Sequence, residues 1–225
     1  MIEHSRGQVI TLNEITYDRD ALAKFVSQFG NECINGSPKE GANNEPTVGY
    51  NVIDPWLGPD SKAVYEYPII QNLLDKFTIN ISQKNIQISY YPPGFLLPAH
   101  TDGEWNAHIM FPIMPEDGGA ELIFHDVPIS KHTRGGDYSR SADKIDYTIK
   151  YSTQHPTMFN TQIPHSAEIV TGDPRIYLKF MIPETGAAKT GGAGDTTEKD
   201  FHTDGHTWNE LKQMAKDGTL FKDND

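Results

Sequence analysis

Residues 86–102 read IQISYYPPGFLLPAHTD, and the fold turns on how that stretch divides. Its first six residues alternate apolar and polar positions and end in two tyrosines, the texture of a half-buried strand. Pro92-Pro93-Gly94 then breaks the pattern, since proline fixes φ and glycine admits turn conformations. The run that follows ends in His100-Thr101-Asp102. Residues i and i+2 of a strand project from one face, so this imidazole and this carboxylate can address a single metal ion.

The same texture continues downstream as AHIMFPIM, AELIFH, YTIKYS, TMFNT, AEIV and RIYLKFMI, punctuated by Asp-Gly, Gly-Gly and Gly-Asp-Pro turns. Many short strands at regular spacing predict a mainly β core, a sandwich or barrel, over 86–183. Upstream, residues 8–16 alternate as a strand. Asp18 or Asp20 stands where an N-cap would open a helix, which Ala21, Phe25 and Phe29 continue at four-residue spacing. Val64, Ile69, Ile70, Leu73, Leu74 and Phe77 predict a second helix over 61–77, and the two helices are expected to cover a sheet. Residues 30–49, rich in Asn, Gly, Pro, Ser and Glu, read as loop. Residues 1–183 thus read as one domain, with 1–85 supplying a strand and supporting helices. Residues 184–202 read as a flexible Gly-rich linker and 203–225 as a C-terminal helix and tail. That helix opens on Thr207-x-x-Glu210, a capping box, puts Trp208, Leu211 and Met214 on one face, and stops at Gly218.

Composition narrows the class. The chain has 225 residues with 19 Lys+Arg against 31 Asp+Glu, a net charge of −12, which argues against nucleic acid as the main partner. The lone Cys33 excludes an intrachain disulfide, and the N-terminus lacks the apolar run of a signal peptide. No stretch approaches the roughly 20 apolar residues of a membrane span, so a cytoplasmic protein without a membrane partner is expected.

His100 and Asp102 gain meaning from a third group. The same letters recur at His202-Thr203-Asp204-Gly205, but that copy follows the Gly-rich linker and precedes a helix cap, without a rigid strand to hold a metal geometry. His165, within the strand-like run ahead of Gly172-Asp173-Pro174-Arg175, is the natural partner of the first copy. Two histidines and one carboxylate on one face of an iron ion leave three positions open, as a non-haem iron oxygenase requires. Arg175, on the following strand, has the planar fork that matches a carboxylate and could hold the far end of a dicarboxylic acid. Tyr177 and Lys179 share its parity; Tyr177 could bond the same carboxylate, and Lys179 could lie near an open barrel end. Asn106 and His108 fall on one alternating face of the strand after the metal pair and are expected to line the pocket. His125, His132 and His155 have no partner at ligand spacing and read as structural or exposed.

Residues 86–182 resemble the iron(II)- and 2-oxoglutarate-dependent dioxygenases, most closely the prolyl 4-hydroxylase branch. That branch shows L-Q-V-x-x-Y-x-x-G-x-x-Y-x-x-H-x-D, matched here by Ile86-Gln87-Ile88-Ser89-Tyr90-Tyr91, Gly94, His100 and Asp102, with Leu97 in place of the second tyrosine. The Gly118-Gly119 turn before Glu121-Leu122 and the pair His165 and Arg175, ten residues apart, complete the likeness. The pattern Asn106-Ala107-His108 is similar to the R-x-H of aspartyl/asparaginyl hydroxylases. The resemblance implies a double-stranded β-helix, or jelly roll, with N-terminal helices packed on the larger sheet. It also implies Fe(II) on His100, Asp102 and His165, 2-oxoglutarate on Arg175 with help from Tyr91, Asn106, His108 and Tyr177, dioxygen as co-reactant, and a use for ascorbate. The reaction it implies is hydroxylation with release of succinate and CO2.

Two rival readings differ in their motifs or in their need for chemistry. A cupin-type metal enzyme without 2-oxoglutarate would show H-x-H followed four residues later by Glu, where this chain has Asp102 and Asn106. A non-catalytic jelly-roll binding protein is the other, since a fold alone implies no activity. The connection from about 126 to 150 is too long for a hairpin and is expected to engage substrate, a peptide or protein side chain in preference to a small molecule. Residues 131–150 carry five basic and three acidic groups, +2 against −14 for the rest of the chain.

Overall fold

The computed structural model describes residues 1–4, 7–28, 51–53, 64–81, 85–102, 105–116, 121–128, 135–138, 145–167, 172–183 and 205–222. The expectations for the 30–49 loop, the Gly118-Gly119 turn, His132, His202, Asp204 and the 184–202 linker lie outside them. Among the described residues, the strand-like runs form two antiparallel sheets. The larger contains β1 (Ile2–His4), β2 (Val9–Thr11), β3 (Asn51–Ile53), β4 (Ile86–Tyr91), β6 (Trp105–Met114), β9 (Thr157–Asn160) and β11 (Arg175–Pro183), in the order β1-β2-β9-β6-β11-β4-β3. The smaller is β5 (Leu97–His100), β10 (His165–Ala167), β7 (Glu121–His125) and β8 (Ile145–Lys150), in that order. This is the mainly β, double-stranded β-helix arrangement.

Alternation divides the larger sheet into two faces. Ile176, Leu178, Phe180 and Ile182 of β11, with Ile109 and Phe111 of β6, face the helices. Phe180 lies 4.9 Å from Phe111 and 5.9 Å from Phe77, ring centre to ring centre, and all three are fully buried. Each such side chain removed from water contributes about 1.5–3 kcal/mol. The other face, with Tyr91, Met110, Phe159 and Tyr177, meets Leu122 and Phe124 of the smaller sheet. The helix side is therefore a sealed core, whereas the space between the sheets is only partly filled.

The helices cover the outer face. α1 (Arg19–Val26) is capped by Asp18, whose carboxylate accepts from the Ala21 N–H at 2.9 Å, and it buries Leu22, Phe25 and Val26. The predicted helix over 61–77 is shorter: a 3-10 turn (Val64–Glu66) precedes α2 (Pro68–Leu74). Proline disfavours helical backbone in the residue before it, and Tyr67 is extended, so the helix begins at Pro68. The predicted strand over 8–16 keeps only three residues, because after Thr11 the chain turns, Ile15 N–H donating to the Leu12 carbonyl. The short strands β1 and β3 have too few residues to show a period and were missed in the sequence.

The C-terminal helix α3 (Trp208–Asp217) has both capping-box hydrogen bonds and a left-handed Gly218, φ 77°, at its end. It joins the helix-side core through Trp208, Leu211 and Ala215. The Trp208 indole donates to the Gly7 carbonyl at 2.9 Å, and Phe221 bridges to Phe77. No helix among the described residues is long and apolar enough to cross a membrane.

Candidate metal centre

Strand pairing brings together groups far apart in sequence. His100 ends β5, His165 opens the adjacent antiparallel β10, and the two are direct register partners. Their rings stand 4.5 Å apart between centroids. Asp102 follows two residues after His100, held by its own N–H to the Thr161 carbonyl at 3.0 Å and by Gln162, whose amide donates to the Asp102 carbonyl at 2.9 Å. Ligand atoms of His100, Asp102 and His165 all lie within 4.8 Å of one another.

The tautomers suit a metal. Nδ1 of His100 donates to the Pro98 carbonyl at 2.8 Å, and Nδ1 of His165 to the Ile163 carbonyl at 2.9 Å. A carbonyl oxygen only accepts, so each ring carries its proton on Nδ1 and turns a bare Nε2 lone pair to the centre. Such second contacts fix ring orientation in metal sites. Nε2 of His100 is 3.5 Å from Asp102 Oδ1, two acceptors facing each other as they would around a shared cation. Among the described residues, buried Asp102 Oδ2 has no hydrogen-bond partner, and Nε2 of His108 lies 3.3 Å from it. The donor set therefore fits one divalent ion of the iron class.

The electrostatics agree. Burial, with His100 adding to it, pushes His165 down to about 3. Burial also lowers His108 to about 4; Asp102 opposes this, while Lys179 and His100 add to it. Burial alone would raise the Asp102 carboxyl, but His108, His100 and His165 outweigh it and hold it well below the usual carboxylate range. At neutral pH the cluster thus presents Asp102 ionised and His165 neutral, the forms that ligate.

The centre opens into a cavity of about 400 Å³ between the sheets. Tyr91, His108, Arg175 and Tyr177 line it. Arg175 is buried, 7% exposed, and Tyr91 is its register partner on β4. Asn106 does not line it, contrary to the alternation argument. Ile182 pairs with Ala107 and Pro183 with Trp105, so Asn106 is the extra residue of a β-bulge, which breaks the parity with His108. Its amide donates instead to the His206 carbonyl at 2.9 Å, and Trp105 takes the cavity position. His125 and His155 serve structure, His125 bonding Ser166 Oγ at 2.7 Å and His155 donating to the Ile15 carbonyl at 2.8 Å. Sequence reasoning missed Gln87, Tyr151 and Trp105 and placed Lys179 near an open barrel end, whereas it is buried in the cavity wall. Gln87 and Lys179 were within reach of strand parity; Tyr151, just past β8, gave no signal.

The long connection also comes near the centre. Its described segment 135–138 runs beside His100: Thr101 N–H donates to the Gly136 carbonyl at 3.0 Å, Tyr138 N–H to the Ala99 carbonyl at 2.8 Å, and Gly136 N–H to Thr101 Oγ1 at 2.9 Å.

No family model and no curated protein matches the sequence. Among solved structures, the chain is similar to a prolyl hydroxylase from Trichoplax adhaerens in complex with a peptide of hypoxia inducible factor, at 12% identity and TM-score 0.48, covering 78% of this chain and 84% of that one. It is also similar to SnoK, a non-haem α-ketoglutarate-dependent carbocyclase of nogalamycin biosynthesis, at 12% identity and TM-score 0.49, covering 77% and 78%. A third is HygX from Streptomyces hygroscopicus, with nickel and 2-oxoglutarate bound, at 11% identity and TM-score 0.46, covering 89% and 98%. The solved structures that this chain resembles thus include prolyl hydroxylases and other 2-oxoglutarate oxygenases.

Proposed function

We propose that the chain is an iron(II)- and 2-oxoglutarate-dependent oxygenase that hydroxylates a peptidyl side chain and releases succinate and CO2. The observation that carries this reading is one cavity with two chemically distinct parts. His100, Asp102 and His165 converge at one part, and the buried Arg175 stands in the wall of the same space.

Each residue then has a task. Nε2 of His100, Nε2 of His165 and the Asp102 carboxylate would hold the ion, with His108 Nε2 3.3 Å from Asp102 Oδ2 behind them. Arg175 would grip a carboxylate through its planar fork, with Tyr177 and Tyr91 in the same cavity wall. Leu122, Met110 and Phe159 exclude water from the space between, which strengthens every charge interaction there. Bound iron supplies the activation of dioxygen; the chain's own contribution is to fix cosubstrate and substrate in register.

The tether of residues 135–138 beside His100 supports the long basic connection as the substrate-engaging element. Arg140→Glu with Lys144→Glu should lower peptide hydroxylation while leaving substrate-free turnover of 2-oxoglutarate intact. The decisive assay for the reading is succinate release from 2-oxoglutarate by the Fe(II)-loaded protein. Turnover above that of His165→Ala is expected; none, with iron bound, refutes it.

A further inference from the structure

We infer that Lys179 is a second cationic anchor for the dicarboxylate, sharing the carboxylate that Arg175 grips, with the Tyr91 hydroxyl holding its ammonium in place. The inference rests on the proposed function and adds a residue to it.

Four observations place Lys179 there. First, β11 alternates, so Arg175, Tyr177, Lys179 and Met181 all face the cavity. Second, Lys179 is 8% exposed, and its Nζ donates to the Tyr91 hydroxyl at 2.8 Å. Third, the phenol that Lys179 bonds belongs to Tyr91, the register partner of Arg175, so one tyrosine lies beside both cationic residues of the strand.

The fourth is reach along the strand. Met181 pairs with His108, whose Nε2 lies 3.3 Å from Asp102, so the level of Met181 marks the metal end of β11. Lys179 pairs with Met110, one side-chain step further in. At about 3.3 Å per residue, Lys179 is roughly 7 Å and Arg175 roughly 20 Å along the strand from Met181. The carbon chain of a five-carbon diacid, four C–C bonds of about 1.5 Å, spans roughly 5–6 Å at most. A diacid fixed at the metal therefore comes to the level of Lys179 before that of Arg175, which must extend its side chain back to meet it. Two cations on one carboxylate make the site discriminate more sharply against 2-oxo acids that lack the second acid group.

The test compares two ligands on Mn(II)-loaded protein by calorimetry: 2-oxoglutarate, and 2-oxovalerate, which has the same chain length without the far carboxylate. Lys179→Met should weaken 2-oxoglutarate by about tenfold or more, as for truncation of one member of a buried charge pair. It should leave 2-oxovalerate and Mn(II) binding unchanged, and Lys179→Arg should restore most of the difference. Equal binding of 2-oxoglutarate by Lys179→Met and wild type overturns the inference. So does a parallel loss of both ligands, which would mark a structural role. If wild type takes up neither 2-oxo acid, the proposed function fails, and glutarate binding to the metal-free protein decides the anchor separately. A Lys179-dependent glutarate affinity then supports it, and a Lys179-independent affinity or none overturns it.

Discussion

The two faces of β11 share a backbone and differ in kind. Toward the helices stand Ile176, Leu178, Phe180 and Ile182; toward the cavity stand Arg175, Tyr177, Lys179 and Met181. The first set is hydrocarbon packed against hydrocarbon, where volume and shape decide. Each member of the second set brings a different functional group, where charge and hydrogen bonding decide. Parity along one strand therefore separates stability from ligand binding, and substitutions on the two faces should be read by different instruments.

The largest expected effect is on the helix face. Phe180→Ala removes a fully buried ring wedged between Phe111 and Phe77 and should cost about 3–5 kcal/mol of stability in urea unfolding. A loss under about 1 kcal/mol would show that this face is not the core. On the cavity face, Arg175→Ala should cost about 2 kcal/mol in 2-oxoglutarate affinity. That is the low end for a truncated charge pair, because Lys179 remains. A larger fall in stability than in affinity would erase the contrast between the faces.

A third effect is pH-dependent and lies on the cavity side. His165 and His108 are held near 3 and 4 when folded, against 6.5 for the free side chain. The unfolded chain therefore binds more protons below about pH 6.5, and stability of the metal-free protein should fall as pH drops from there towards 4. Each group adds a slope of up to about 1.4 kcal/mol per pH unit within its window. His165→Gln should flatten the fall; an unchanged slope would remove His165 from this role. The smallest effect lies away from both faces. Thr207→Ala deletes the α3 cap and should cost about 1 kcal/mol, with no change in metal or 2-oxoglutarate binding.

The sheet core and the meeting of His100, Asp102 and His165 were legible because each rests on a local period or a short spacing within a strand. Alternation located β4, β6 and β11, and His-x-Asp needs only the side-chain direction of a strand end. What failed depended on pairing between strands. Asn106 was misplaced because the bulge that displaces it is created by its register with Ile182 and Pro183, which no single-strand pattern contains. Lys179 shared Arg175's parity in the sequence, yet its burial depends on closure of the smaller sheet over it. β1 and β3 hold three residues each, too few for alternation to register. The helix over 61–77 was overextended because its apolar face runs past Pro68, whereas the backbone preceding a proline does not.

The central claim is that the strand-held copy of His-Thr-Asp-Gly, completed by His165, is a metal centre. Its most direct test is Fe(II) content after anaerobic loading and desalting, measured for wild type, His165→Ala and His202→Ala. One ion per chain is predicted for wild type and His202→Ala, and near none for His165→Ala. Iron retained by His165→Ala and lost from His202→Ala would contradict it.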